Sequence, residues 1–219
     1  GVHAGDPLTI KEALLKAKEK NVVVGAHIGF HDIQGFGYRQ MDLDSDELDA
    51  LVTYQVGAIM TFAKAYHMEI EHVRPHGAMY RQASEDIEFS RTIAKAIKKC
   101  SKWLVYYGAT GDNLAQIAEE ENIQVAHEVH LEKIYDDKGN IDFSARDLEN
   151  TGISIQRLKD LIQNSQVTNN VGGKTIVRAD SIHFSNKLSN AKELIAQAYD
   201  IVEPLPYNYR NAQKSGWVE

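Results

Sequence analysis

Residues 21–29 have the sequence Asn-Val-Val-Val-Gly-Ala-His-Ile-Gly, an apolar run that ends on a histidine. Three consecutive valines are typical of a strand that is covered on both faces, as in a parallel sheet. We therefore predict a strand over Asn21–Ala26, with His27 directly after it and a glycine-rich loop over residues 28–39. This pattern places an imidazole at the end of a buried strand, within reach of a ligand.

Helical and strand patterns alternate on both sides of this strand. Helices are predicted before and after it, over residues 11–20 and 45–67. The other predicted strands are 69–73, 103–107, 123–126 and 174–185, the last with a hairpin around Gly172-Gly173. The other predicted helices are 84–99, 112–121, 155–162 and 191–201. The alternation indicates an α/β fold with a parallel sheet, either a β/α barrel or a doubly wound sheet. We expect one domain over residues 1–203 and a tail over 204–219.

The composition argues against several classes of protein. The 219 residues carry a formal net charge of −7, which speaks against the basic surface of a nucleic-acid binder. No run of about 18 apolar residues is present, so no membrane-spanning segment is expected, and residues 1–3 do not resemble the start of a signal peptide. Cys100 is the only cysteine, which excludes an internal disulfide and makes a reducing cytoplasm the expected compartment.

Polar residues follow the predicted strands, at the edge where parallel α/β proteins bind their ligands. Asp32 lies five residues after His27, and the two side chains could bind a metal ion or transfer protons. Arg39 follows in the same loop and could hold a carboxylate or a phosphate through paired hydrogen bonds. Residues 73–80, Val-Arg-Pro-His-Gly-Ala-Met-Tyr, place a cation, an imidazole and a phenol around a proline and a glycine. Both segments are therefore candidates for a reactive site.

Two further segments each leave two interpretations open. His3 and Asp6 could face one pocket, or Asp6 could cap the helix that follows it. Arg178 could bind a ligand, or it could form an ion pair with Asp180. The sequence contains no Gly-x-x-x-x-Gly-Lys-Ser/Thr phosphate loop, so ATP would not bind to this chain by that route.

Taken together, these segments resemble the LamB/YcsF family. Residues 1–7, 25–39 and 74–80 are similar to the family's His-Ala-Gly-Asp-Pro, Gly-Ala-His with Gly-Phe-Gly-x-Arg, and Lys-Pro-His-Gly-Ala-Leu-Tyr motifs, in the same order and spacing. Arg74 replaces the family's lysine, and the two cations differ in geometry. The likeness extends to Tyr-Gln-Val-Gly-Ala over residues 54–58 and, more thinly, to the region from Glu128 to Gly139.

The resemblance implies an incomplete β/α barrel related to carbohydrate deacetylases. It also implies a hydrolase that opens the lactam of 5-oxoproline to L-glutamate with ATP hydrolysis, together with two partner subunits that would bind ATP or help to bind it; a homo-oligomer is left open. In such an enzyme Asp6 or His27 would activate water, Arg39 or Arg74 would hold the substrate carboxylate, and His76 would stabilise the oxyanion or protonate the leaving nitrogen. The candidate catalytic residues are His3, Asp6, His27, Asp32 and His76, and the candidate substrate-binding residues are Arg39, Arg74, Tyr80, Glu128 and Arg178.

The sequence also departs from the family's pattern. An acidic segment resembling Asp-Leu-Asn-x-Asp-x-Gly-Glu is absent here, so the first strand of the barrel is expected to be missing. The family's late Cys-Val-His-Gly-Asp motif aligns with residues 183–187, where Ser185 and Lys187 replace the histidine and the aspartate, unless a gap keeps His183 as that histidine. Two alternatives stay open, namely a non-catalytic or regulatory member and a metal-dependent deacetylase with His3 and His27 among the ligands of a divalent ion.

Overall fold

The computed structural model describes residues 1–3, 5–148, 153–185 and 187–202. These residues fall into two compact units. The first unit consists of Gly1–Val129 and Arg178–Ser181, and the second is drawn from His130–Val177 and Ile182–Glu219. The prediction of a single domain over residues 1–203 stays a prediction, and the tail at 204–219 lies outside the described residues.

Four parallel strands organise the first unit. They are β1 (Val24–Ile28), β2 (Ile70–Pro75), β3 (Val105–Ala109) and β4 (Val125–His130), which pair in that order, and β7 (Ser181–His183) follows as the fifth strand of the sheet. The helices are α1 (Pro7–Glu19), α2 (Ser45–Ala65), α3 (Gly77–Glu85), α4 (Ile87–Cys100) and α5 (Asp112–Glu121). Parallel strands with surrounding helices form a curled half-barrel, which confirms the α/β class and the incomplete barrel.

The two faces of this sheet have different chemistry because successive side chains of a strand point to opposite faces. On one face, Ala26, Val73 and Tyr106 enter the hydrophobic core that also holds residues of α2 and α4. The register pairs His27 with Arg74 and Ala109 with Glu128, so both members of each pair lie on the other face. The alternation therefore collects polar side chains opposite the helices.

The second unit contains α6 (Ile155–Asn164), α7 (Ala191–Ile201) and an antiparallel pair, β5 (Gln166–Thr168) with β6 (Lys174–Ile176). The predicted hairpin is confirmed, with a turn that uses Gly172 at φ +80°. Its core includes Leu158 and Leu161 of α6, which are almost fully buried. None of the described helices combines the length and the apolar composition needed to cross a membrane.

Several predicted element bounds differ from the observed ones: the strand predicted over 174–185 is two short strands, β6 and β7, and two further differences lie beside the polar face. Strand β1 starts at Val24, because Val22 and Val23 are exposed, and it includes His27 instead of ending before it. The predicted helix that follows strand 69–73 begins only at residue 84, but helix α3 already begins at Gly77. Gly77 has φ +55°, and a Cβ there would lie 2.5 Å from the carbonyl oxygen of Gly37, so a glycine at this helix start serves close packing.

Candidate active site

Arg74 and Glu128 form a buried ion pair on the polar face of the sheet. Nε of Arg74 lies 2.8 Å from each carboxylate oxygen of Glu128, and a terminal guanidinium nitrogen lies 2.7 Å from Oε2. The side chain of Glu128 is 5% exposed and that of Arg74 is 20% exposed. The guanidinium also lies 4.7 Å from the centre of the Tyr80 ring. Arg74 thus contacts two other predicted substrate-binding residues, Glu128 and Tyr80.

His27 and His76 face each other through one ring nitrogen each. Nδ1 of His27 lies 3.0 Å from the carbonyl oxygen of Arg74, and Nε2 of His76 lies 2.7 Å from that of Phe36. Because a carbonyl oxygen only accepts hydrogen bonds, each of these two nitrogens must carry a proton. In the neutral rings the other two nitrogens, His27 Nε2 and His76 Nδ1, then carry no proton. They lie 3.2 Å apart, with their lone pairs facing each other. The pair is therefore built to accept one proton between its two rings.

The electrostatic surroundings keep this pair neutral at neutral pH. Burial, followed by the charge of Arg74 and the neighbouring His76, lowers the pKa of His27 to about 3. Burial is also the main reason that the pKa of His76 is lowered, although its hydrogen bond to Phe36 opposes the shift. Neutral imidazoles with an unprotonated ring nitrogen are the form that a general base requires.

The glycine-rich loop covers these rings. His3 is held by its Nε2 at 2.6 Å from the carbonyl oxygen of Phe30, and its ring centre lies 5.2 Å from that of His76. A Cβ on Gly37 would lie 2.7 Å from the His3 ring and 2.8 Å from the His76 ring, and Gly37 has φ +75°. The loop can approach the two imidazoles this closely only because it carries a glycine there.

Asp32 organises the far side of the same loop. Its carboxylate accepts hydrogen bonds from the backbone N–H of Gly35 at 3.0 Å and from Nε of Arg39 at 2.9 Å, with a further contact to the Arg39 Nη2. Chiefly through Arg39, the pKa of Asp32 is lowered to about 2. Its oxygens are engaged in fixing the loop and orienting Arg39, whose side chain is 62% exposed. Asp32 thus fixes the loop and orients Arg39, whose guanidinium a solute can reach, and a catalytic role for Asp32 stays a prediction.

Two predicted site residues have their described contacts elsewhere. Asp6 is the N-cap of α1 and accepts hydrogen bonds from the backbone N–H groups of Leu8 and Thr9, which agrees with the capping interpretation. Arg178 pairs with Asp180 at 3.1 Å and is 62% exposed, as the ion-pair interpretation expected. Catalytic and binding roles for these two residues stay predictions.

Three residues of the site were not singled out by their chemistry in the sequence. Gln55 of α2 is fully buried; its Oε1 accepts from the N–H of Gly29 at 3.0 Å and its Nε2 donates to the Gly29 carbonyl at 2.8 Å. His72 and Tyr107 lie on the polar face with ring centres 4.6 Å apart. Counting two residues back from Arg74 along the strand would have placed His72 on this face.

The metal alternative with His3 and His27 stays a prediction. His3 Nε2 and His27 Nδ1 each form a hydrogen bond with a backbone carbonyl oxygen. The second ring nitrogen of His27, Nε2, faces His76. Within the described part of the chain, His3 and His27 do not join a third metal-ligating side chain to form a compact group of donors.

Fold and site together define an α/β half-barrel protein with a histidine-rich polar site on the strand face opposite its helices. The chain belongs to the LamB/YcsF family, whose sequence model matches residues 1–214. It is similar to a protein from Thermococcus onnurineus that is named as the A subunit of 5-oxoprolinase, with 34% identity over 93% of this chain and 81% of that protein. The protein of the same name from Staphylococcus carnosus is 32% identical over 90% of this chain and 79% of its own length. A crystal structure of a lactam utilization protein from Thermus thermophilus superposes with a TM-score of 0.79 and 34% identity, over 90% of this chain and 80% of that one.

Proposed function

We propose that this chain is the lactam-opening component of an ATP-dependent 5-oxoprolinase, which converts 5-oxoproline to L-glutamate. The facing lone pairs of His27 and His76, next to the Arg74–Glu128 ion pair, are the observation that supports this proposal most directly. The names of the relatives supply the substrate class, and the single cysteine, Cys100, is in keeping with a cytoplasmic reaction.

In the proposed reaction the histidine pair moves one proton. Water loses a proton to the shared position between His27 and His76 while its oxygen bonds to the ring carbonyl carbon. The carbon–nitrogen bond of the lactam then breaks, and the leaving nitrogen takes the proton from the pair. The pair's low proton affinity in the free protein would rise when an anionic substrate binds, because a nearby negative charge favours the protonated form.

The amide carbonyl also has to be activated, which is the proposed role of ATP. Transfer of its terminal phosphoryl group to the carbonyl oxygen would make the carbon electrophilic enough for water to add. Opening of the ring would leave a carboxyl phosphate, and a second water would release phosphate and glutamate. We assign ATP binding to the two partner subunits, alone or with this chain. The substrate carboxylate is assigned to Arg39, because its guanidinium is largely exposed and is oriented by Asp32.

The test is formation of glutamate and ADP from 5-oxoproline and ATP by the full-length protein with its two partner subunits, beside a family member of known activity. His27→Gln and His76→Gln are expected to lower kcat by about 10²–10⁴-fold, the usual contribution of a general base. The control His31→Gln removes an exposed imidazole of the same loop and should leave turnover unchanged. Arg39→Lys should raise KM more than it lowers kcat. An inactive protein beside a working relative, or full activity of both histidine variants, would contradict the proposal.

A further inference from the structure

A second group of ionisable side chains lies in the second unit and takes no part in the proposed reaction. His130, Glu132 and His183 each bring a potential ligand atom within 4.8 Å of the others. Glu132 is 3% exposed and His130 is 5% exposed, whereas the side chain of His183 is 31% exposed. The rings of the two histidines lie 4.4 Å apart and are tilted by 32°.

The hydrogen bonds within this group leave two buried polar atoms without a partner among the described residues. Oε1 of Glu132 lies 3.2 Å from Nδ1 of His130 and 3.3 Å from Nδ1 of His183, but the second contact has no hydrogen-bond geometry. Oε2 of Glu132 and Nδ1 of His183 are buried and have no hydrogen-bond partner among the described residues. A buried carboxylate oxygen without a partner costs on the order of 1–3 kcal/mol or more. Two buried polar atoms of the group are therefore available to bind a cation that all three side chains could share.

Hydrogen bonds hold the backbone at two of these ligands, His130 and Glu132. The hydroxyl of Tyr135, a fully buried residue, accepts from the N–H of His130 at 2.8 Å and donates to its carbonyl at 3.2 Å. The carbonyl of Glu132 accepts from the N–H of Leu148 at 2.9 Å. Ligands on a rigid support need little reorganisation to bind.

We propose that His130, Glu132 and His183 bind a divalent transition-metal ion of the Zn²⁺ type. Two imidazoles and one carboxylate form a ligand set that zinc accepts with one open coordination position. Ligand atoms about 2.1 Å from a tetrahedral metal lie about 3.4 Å apart, close to the 3.2 Å and 3.3 Å that already separate Oε1 from the two nitrogens. Rotation of the histidine rings would complete the third edge. The fourth position would open toward solvent on the side of the partly exposed His183.

The first experiment measures metal binding by the full chain after treatment with a chelator. Titration with Zn²⁺ against a chromophoric competitor should show one tight site, and Co²⁺ should give the visible absorption of a four-coordinate complex with nitrogen and oxygen ligands. His183→Gln should weaken Zn²⁺ binding about 100-fold or more, whereas His76→Gln, in the other histidine pair, should bind as the wild type does. An absence of binding, or loss of binding in His76→Gln with retention in His183→Gln, would overturn the proposal.

A second measurement needs no substitution and covers the case in which the variants do not fold. Histidines of the wild-type chain are modified with diethyl pyrocarbonate with and without Zn²⁺, and the modified peptides are quantified by mass spectrometry. Zinc should protect His183, because coordination through the buried Nδ1 keeps the proton on Nε2 and removes the lone pair that attacks the reagent. Equal modification of His183 with and without zinc would refute the site.

Discussion

Lowering the pH from 7 to 5 is expected to destabilise the protein through His27. The pKa of this residue is about 3 in the folded chain and 6.5 as its reference value, mainly because the ring is buried. The unfolded chain therefore binds the proton more tightly, and the contribution of neutral His27 to stability is complete above pH 6.5 and is lost as the pH falls toward 3. With these two values, the loss between pH 7 and pH 5 comes to about 2 kcal/mol.

The assay is urea unfolding followed by circular dichroism at pH 5, 6 and 7, for the wild type and for His27→Gln. The variant lacks the titrating ring, so its free energy of unfolding should fall by about 2 kcal/mol less than that of the wild type over this range. The difference in slope is the relevant quantity, because the substitution also changes the stability at any single pH. His31→Gln, which removes an exposed imidazole, controls for the loss of one histidine. Parallel pH profiles of wild type and His27→Gln would refute the reasoning.

Further predictions concern packing, the ion pair and a helix cap. Gly37→Ala should destabilise the fold and reduce activity more than Gly29→Ala does, as thermal melts can check, because only position 37 combines φ +75° with a Cβ 2.7 Å from His3, against 3.1 Å at position 29. Arg74→Met should cost about 3–5 kcal/mol in urea unfolding by removing the cation that pairs with the buried Glu128, and adding Glu128→Gln should recover most of that loss; additive losses would contradict this. Asp6→Ala should lower the melting temperature and Asp6→Asn should preserve it, since asparagine can still cap α1; equal melting of both would argue against capping.

The sequence predicted the architecture well because hydrophobic periodicity reports which faces are buried. Helices at 112–121 and 191–201 were predicted with their observed bounds. Strand β1 was placed too early, since exposed valines and buried valines look alike in a sequence. Helix α3 was missed because Pro and Gly at its start are typical of a loop, and only the close approach of the Gly37 carbonyl explains the glycine.

The candidate site was predictable in part. His27, Arg74 and His76 were singled out from their place at the strand ends, and the structure brings them together. The two chemical interpretations of Asp6 could not be separated by spacing alone, because a capping carboxylate and a catalytic one occupy the same position before a helix. The group of His130, Glu132 and His183 forms only in the tertiary structure, because His183 lies about fifty residues further along the chain. No local sequence motif therefore predicts it.

The two hydrogen bonds between Gln55 and Gly29 make the turn beside His27 sensitive to a change of one atom. The amide of Gln55 presents a donor and an acceptor at once, and both groups of Gly29 are used. Glutamate has the same length, but at neutral pH it would place an anion against the Gly29 carbonyl oxygen where a donor stood. Asparagine keeps both functions and is one methylene too short to reach from α2 without displacing the turn. Deamidation of this single buried side chain would therefore act on the turn beside His27 without changing the ring of His27 or of His76.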